Sequence, residues 1–334
     1  RPLIEPAVRR LIDNHISSRL AEKDDSIWGE AAQEEASKRL GWVTSASDSA
    51  GLLGEIFSLR DSLREKGVDR VVLCGMGGSS LAPEVICKNA SVDLVVLDST
   101  SPDQVAAALV HLERTVVVVS SKSGSTVETD SQKRAFESAF AAAGINAAER
   151  IVIVTDPGSP LDQASREAGY RVFNADPNVG GRYSALSAFG LVPSGLAGAD
   201  ISQLLASAVS ASSALQYDSE DNPAIWLASA MAGDPASWDK FLIESDAYPG
   251  FGDWVEQLVA ESTGKEDRGV LPVVVTNSAP EFSQVPADTI SIRARNLSSH
   301  CSFEVSWASS FYCGSGQPLL PATCLRSTHS TSQT

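Results

Sequence analysis

Val116-Val117-Val118-Val119-Ser120-Ser121-Lys122-Ser123-Gly124-Ser125-Thr126 runs without a break into a helical pattern that extends from Val127 to Ala143. Four consecutive β-branched residues with no polar interruption have the signature of a strand buried on both faces, the habit of parallel sheets covered by helices on each side. Outward from this stretch, Val71–Cys74, Leu94–Leu97 and Ile151–Val154 repeat the signature, and Leu81–Lys88 and Leu161–Ala168 have the length and spacing of crossover helices. Strand, helix and strand in this rhythm make βαβ units. The expected fold class is therefore α/β, with doubly wound parallel sheets.

The first such domain is expected over residues 45–195. It follows a helical lead-in at 1–44, which opens on one amphipathic helix marked by Val8, Leu11, Ile12, Ile16 and Leu20 and continues with a weaker helix over Glu30–Leu40. A second, smaller α/β domain at 196–296 is expected from helical stretches at Ile201–Leu215, Pro223–Met231 and Trp254–Ser262 and strands at Phe241–Ile243, Leu271–Val275 and Ile290–Ile292. From Leu297 to the end, Ser and Thr crowd the chain, Glu304 is the only acid, and no clean periodicity is visible. This segment, 297–334, reads as a disordered or altered tail.

A length of 334 residues suits roughly two domains. With 43% hydrophobic and 20% charged residues the chain is an ordinary globular one, and no apolar run approaches the ~20 residues of a membrane helix. Lys+Arg 26 against Asp+Glu 42 leaves a net charge of -16. That field repels nucleic acid and anionic lipid, so neither is an expected partner, and any anionic ligand must be held by local chemistry. Five cysteines without C-x-x-C spacing, with Cys74 inside an apolar run, suggest a reducing, cytoplasmic setting. Cys301, Cys313 and Cys324 with His300 and His329 match no zinc spacing, and no metal is expected. The first residue is Arg, so the chain is expected to begin inside a longer one.

Four segments carry chemistry. Gly75-Met76-Gly77-Gly78-Ser79-Ser80 lies between a strand and a helix, where glycines let backbone N–H groups approach an anion. Two other readings stand beside it: a tight turn with Ser80 as helix N-cap, and a dinucleotide fingerprint with Asp98 as the ribose acid, although its third glycine is missing. Ser121 to Thr126 forms a second hydroxyl-rich loop at the same sheet edge. A capping box of Ser125 and Glu128 explains those two residues, but not Ser121, Ser123 and Thr126, whose hydroxyls suit a phosphate monoester. Arg182, in Gly180-Gly181-Arg182-Tyr183-Ser184, opposes the dipole at the start of a helix and so calls for an anionic partner, either a ligand or a structural carboxylate. Glu261 shares the phase of Trp254 and Leu258, so it either points inward as a general base or splays into water in the last turn before Gly264.

Taken in order, Gly77-Gly78-Ser79, Ser121 to Thr129, Gly180 to Ser184 and Glu261-Ser262-Thr263-Gly264-Lys265 resemble the motifs of the phosphoglucose isomerase family. The likeness covers about residues 45–293 and implies two sugar-isomerase (SIS) type αβα sandwiches, the second incomplete. It also implies conversion of glucose 6-phosphate to fructose 6-phosphate with no cofactor, usually in a homodimer. By the resemblance, Ser79, Ser121, Ser123 and Thr126 hold the phosphate, with Lys122 contributing through its backbone and Gly78 and Gly181 close to the substrate. Glu261 moves the proton between C1 and C2, and Arg182 stabilises the enediolate. Lys23 to Gly29 looks like the lead-in of transaldolase–phosphoglucose isomerase fusions, which implies an upstream transaldolase domain. The family's ring-opening His and late Lys have no match, so weak or absent turnover is expected while the phosphate pocket persists. A non-catalytic phosphosugar-binding module and an NAD-dependent dehydrogenase are the alternatives.

Overall fold

The computed structural model describes residues 4–232, 238–265, 269–282, 284, 286–297 and 300–307. Most of the Ser/Thr/Cys-rich tail, including Cys313, Cys324 and His329, lies outside the described residues. The chain divides into two units, residues 21–213 and residues 1–20 with 214–334. The lead-in at 1–44 is thus shared between them.

The first unit is built on five parallel strands: β1 (Arg70–Gly75), β2 (Val95–Leu97), β3 (Thr115–Ser120), β4 (Ile151–Thr155) and β5 (Arg171–Asn174), in the order β2-β1-β3-β4-β5. The Val and Ile runs follow from burial on both sides. Val71, Leu73, Val116, Val118, Val152 and Val154 face one core with Ile56, Leu191 and Ile201, while Val72, Cys74, Val117, Val119, Ile151 and Ile153 face the other with Phe136 and Phe140. Each large side chain so buried is worth about 1.5–3 kcal/mol. Burial also pushes the thiol of Cys87 up to about 11 and that of Cys74 higher, which suits inert core residues.

Two strands and two helices differ from the sequence expectation. β5 was not anticipated, because an edge strand with only Val172 and Phe173 lacks a long apolar run. The opening helix is two, Glu5–Asp13 and Ile16–Ala21, broken where His15 takes a left-handed φ of 54°. The freed N–H of Ser17 and the hydroxyl of Ser18 donate to Asp218 at 2.9 and 2.6 Å. The weaker helix is shorter than expected, Glu30–Ala36.

In the second unit, β6 (Lys240–Glu244) pairs in parallel with β7 (Leu271–Val274) and β8 (Thr289–Leu297), in the order β7-β6-β8-β9. The last strand, β9 (His300–Trp307), is antiparallel to β8, so this sheet is mixed, and regular structure extends into the segment where no periodicity was expected. Phe241, Ile243, Ile290 and Ile292 form its core with Ile4, Ala230 and Trp238.

A side-chain network ties the helix Val127–Ala142 of the first unit to the segment before β5. Lys133 Nζ and the Tyr170 hydroxyl both donate to Glu137 Oε1 at 2.6 Å. Burial pushes the Glu137 carboxyl up, but the bonds from Lys133 and Tyr170 outweigh it and hold the group below its ordinary range. A carboxyl so depressed stabilises the fold above the unfolded value of about 4.3, and that contribution is lost as pH falls through the lower folded value. Tyr170→Phe is expected to cost about 1 kcal/mol at pH 7. The difference from wild type in denaturant unfolding should shrink as Glu137 is protonated.

Candidate functional site

β1 and β3 pair in register from Arg70 opposite Thr115 to Gly75 opposite Ser120. Both strands therefore end level, and the loops that follow leave side by side at the carboxyl edge. This is also where the strand order reverses, the position at which open α/β sheets bind ligands.

The first loop is a tight 3-10 turn, Gly77–Ser79, in which the Ser79 and Ser80 amides donate to the carbonyls of Met76 and Gly77. Ser80 occupies the N-cap position of the helix Leu81–Asn89, but its hydroxyl turns back to the Gly77 carbonyl at 3.0 Å and does not cap. Gly78 is required for contact with a third segment: a Cβ there would come within 2.6 Å of the Gly181 carbonyl oxygen and 3.0 Å of the Arg182 nitrogen. Ser184 locks the same approach, its hydroxyl lying 2.6 Å from the Gly181 carbonyl and 3.4 Å from that of Gly78.

In the second loop, Ser121 is buried and its Oγ lies 3.1 Å from Thr126 Oγ1, while the Gly124 N–H donates to the same Ser121 oxygen. Ser123 Oγ lies 2.8 Å from Ser125 Oγ and also receives the Ser125 N–H. In each hydroxyl pair one member donates to the other, which leaves the acceptor's own hydrogen for a ligand. The capping box expected of Ser125 and Glu128 does not form. The helix Val127–Ala142 has Thr126, not Ser125, at its N-cap and no side chain capping it; the Thr126 hydroxyl is taken up by Ser121 and that of Ser125 by Ser123. Its first-turn N–H groups, which no intrahelical carbonyl can satisfy, open beside the hydroxyls. Lys122 turns elsewhere: its ammonium pairs with Asp156 at 2.6 Å.

Arg182 lies in the first turn of the 3-10 helix Gly181–Leu186, which precedes the buried helix Ala188–Ala197. Its guanidinium sits 4.9 Å from the Tyr183 ring centre, and Tyr183 in turn stacks on Trp42 at 5.4 Å with 16° between the rings. A flat cation on an aromatic plate is held in orientation. The sequence reading gave Trp42 and Tyr183 no role, and only the isolation of a large aromatic in the polar stretch Gly41 to Ala50 hinted at one.

The structure thus gathers Gly78, Ser79, Ser121, Lys122, Ser123, Thr126, Gly181 and Arg182 within the first unit. Glu261 belongs to the second unit, near the end of the helix Phe251–Thr263. Of the two orientations open to it, the side chain takes the exposed one, and Gln257 Nε2, one turn earlier, donates to its Oε1 at 2.8 Å. Asp98, the ribose acid of the dinucleotide reading, is exposed just beyond β2.

Residues 61–256 match the phosphoglucose isomerase family. The chain belongs to that family. It is 33% identical over 225 residues to a probable glucose-6-phosphate isomerase of Haloarcula marismortui, covering 65% of this chain and 52% of that protein. Among solved structures, a hypothetical protein of Thermus thermophilus superposes with a TM-score of 0.67 at 26% identity, covering 87% of this chain and 70% of the other. A glucose-6-phosphate isomerase of Chlamydia trachomatis shares the fold with a TM-score of 0.62 at 24% identity, covering 80% of this chain and 54% of that one. The fold is the doubly wound sugar-isomerase type, and the NAD-dependent dehydrogenase alternative is not favoured. The chain spans about half or less of the length of the curated relatives it matches, 52% and 40% for two of them. Among the described residues no helix is long and apolar enough to cross a membrane.

Gly78→Ala tests the close approach of the loops. The added methyl meets backbone, which cannot step aside as a flexible side chain can, so a loss of about 1–3 kcal/mol in unfolding free energy is expected, read by denaturant titration. An unchanged midpoint would mean that the two turns separate freely.

Proposed function

We propose that this chain carries the sugar-phosphate site of an aldose–ketose isomerase that interconverts glucose 6-phosphate and fructose 6-phosphate. The observation that carries the reading is the level ending of β1 and β3, which sets the Gly77–Ser79 turn beside the Ser121–Thr126 bend. Hydroxyls of Ser79, Ser121, Ser123 and Thr126, backbone N–H groups of the bend and the uncapped helix start hold the phosphate. Gly78 and Gly181 keep the backbone close to the substrate, and Lys122 contributes through its main chain.

A phosphate anchored at one end of the open-chain sugar fixes where C1 and C2 lie, so binding energy remote from the reaction supplies orientation. The Glu261 carboxylate removes the proton from C2 of the aldose and returns it to C1, while the hydroxyl proton on the C2 oxygen passes to the C1 oxygen. Between the two steps the electrons of the broken C–H bond form an enediolate, whose oxygen charge the Arg182 guanidinium stabilises as it develops. The bond from Gln257 would orient the carboxylate. Neither a metal nor a nucleotide enters this sequence of steps. The same reading includes a cytoplasmic setting, a homodimer and an upstream transaldolase domain in the longer protein.

Calorimetric titration with glucose 6-phosphate and with glucose should give binding to the first only, and Ser121→Ala with Thr126→Val should weaken it by about tenfold or more, each lost charge-assisted hydrogen bond being worth about 1.5–3 kcal/mol. Glu261→Gln should abolish fructose 6-phosphate turnover, measured with the chain joined to a family-like C-terminal segment, and leave the affinity for the 6-phosphate in place. Binding with no turnover in that extended protein would leave a phosphosugar-binding module, and equal binding of glucose would defeat the phosphate reading.

A further inference from the structure

The Ser121–Thr126 bend is shaped from behind by the turn that follows β4. The Lys122 carbonyl accepts from the Thr155 hydroxyl at 3.4 Å and from the Asp156 N–H at 3.3 Å. The Lys122 ammonium donates to Asp156 Oδ2 at 2.6 Å and to the Pro177 carbonyl at 3.3 Å, so one side chain joins the bend to the ends of both β4 and β5. Gly124, at a φ of +71°, lies on the start of the next helix so closely that a Cβ would come within 2.6 Å of Leu161 Cβ.

The pair is sheltered, with 27% of the Lys122 side chain and 19% of the Asp156 side chain exposed. Asp156 Oδ1 is buried with no hydrogen-bond partner among the described residues. A carboxylate kept in such a place is costly by itself and is retained through what its other oxygen holds. Here that is the one lysine of the serine-rich bend.

We propose that Asp156 is a positioning residue of the phosphate site: by drawing the Lys122 side chain behind the bend, it sets the curvature that aims the hydroxyls and N–H groups of residues 121–126 at a phosphate. The inference rests on the phosphate reading of the bend and adds what maintains it. A phosphate is then gripped by neutral donors held in a preset arc, an arrangement in which small displacements carry large costs.

Asp156→Asn keeps the size of the side chain and removes the charge that holds Lys122. Two measurements on the whole chain test it: the affinity for inorganic phosphate by calorimetry, and amide hydrogen exchange in the ligand-free protein. The expected result is phosphate binding weakened by about tenfold or more, with faster exchange confined to residues 121–126 and β1 and β3 amides unchanged. Phosphate affinity that is unchanged or tighter overturns the proposal, since a freed ammonium entering the pocket would strengthen binding. Faster exchange spread through β1, β3 and β4 also overturns it, because that marks a general structural role. Should Asp156→Asn fail to fold, Lys122→Met removes the other half of the pair and is read in the same way. If the wild-type chain itself does not take up inorganic phosphate, the phosphate reading fails, while the exchange measurement still decides whether Asp156 shapes the bend.

Discussion

The register between β1 and β3 is the constraint on which the site depends. In a strand buried on both faces the apolar pattern cannot by itself choose a register, because a slip by one residue exchanges one buried valine for another. Polar groups at the opposite end make the choice. Arg70 Nη1 donates to Thr115 Oγ1 at 3.0 Å and to the carbonyls of Ala108 and Val110, and Asp69 takes a forked pair of bonds from Arg114 at 2.9 and 2.7 Å. These clamps fix the amino ends of the two strands, and equal strand lengths carry the alignment to Gly75 and Ser120. The arrangement of the loops is therefore decided about six residues away from them, by groups that touch no ligand.

Two cations near the loops are held by different supports. Arg182 is laid on the Tyr183 ring, which in turn stacks on Trp42, a support that fixes the plane of a guanidinium. Lys122 is paired with a carboxylate and withdrawn. An enediolate needs a positive charge where its own charge appears, whereas a phosphate is already an anion and needs chiefly to be placed.

Legibility in the sequence followed the physics of each element. The central strands were readable because burial on both faces leaves no polar residues to interrupt them. β5 at the edge had no such run. β9 did carry a signal, with Cys301, Phe303, Val305 and Trp307 alternating with His300, Ser302, Glu304 and Ser306, but the serine-rich composition around it obscured the period of two. The capping box failed because Ser125 had a nearer partner in Ser123, a competition between two local hydrogen bonds that spacing alone does not rank. Glu261 shows the limit of helical phase: sharing a face with Trp254 and Leu258 reports direction, not cover, and the last turn before Gly264 is exposed. Asp156, Trp42 and Ser184 act on residues distant in the chain, so a motif read along the sequence had no means of joining them to Lys122, Tyr183 or Gly78.

An anion site of the proposed kind, on a chain with a net charge of -16, has to work against its own surroundings. The opposition is weaker than the number suggests, because exposed carboxylates act through water and are screened over about 8 Å at physiological ionic strength. Donors of the bend and of the helix start act at hydrogen-bond distance, where no ion atmosphere intervenes. What decides whether they suffice is how many reach the same oxygens at once, and therefore the shape of the backbone that carries them. That shape is imposed by Gly78 against Gly181, by Gly124 against Leu161 and by the Lys122 carbonyl against Thr155 and Asp156. On the proposed reading, selectivity for a phosphate is a property of packing between loops before it is a property of charge.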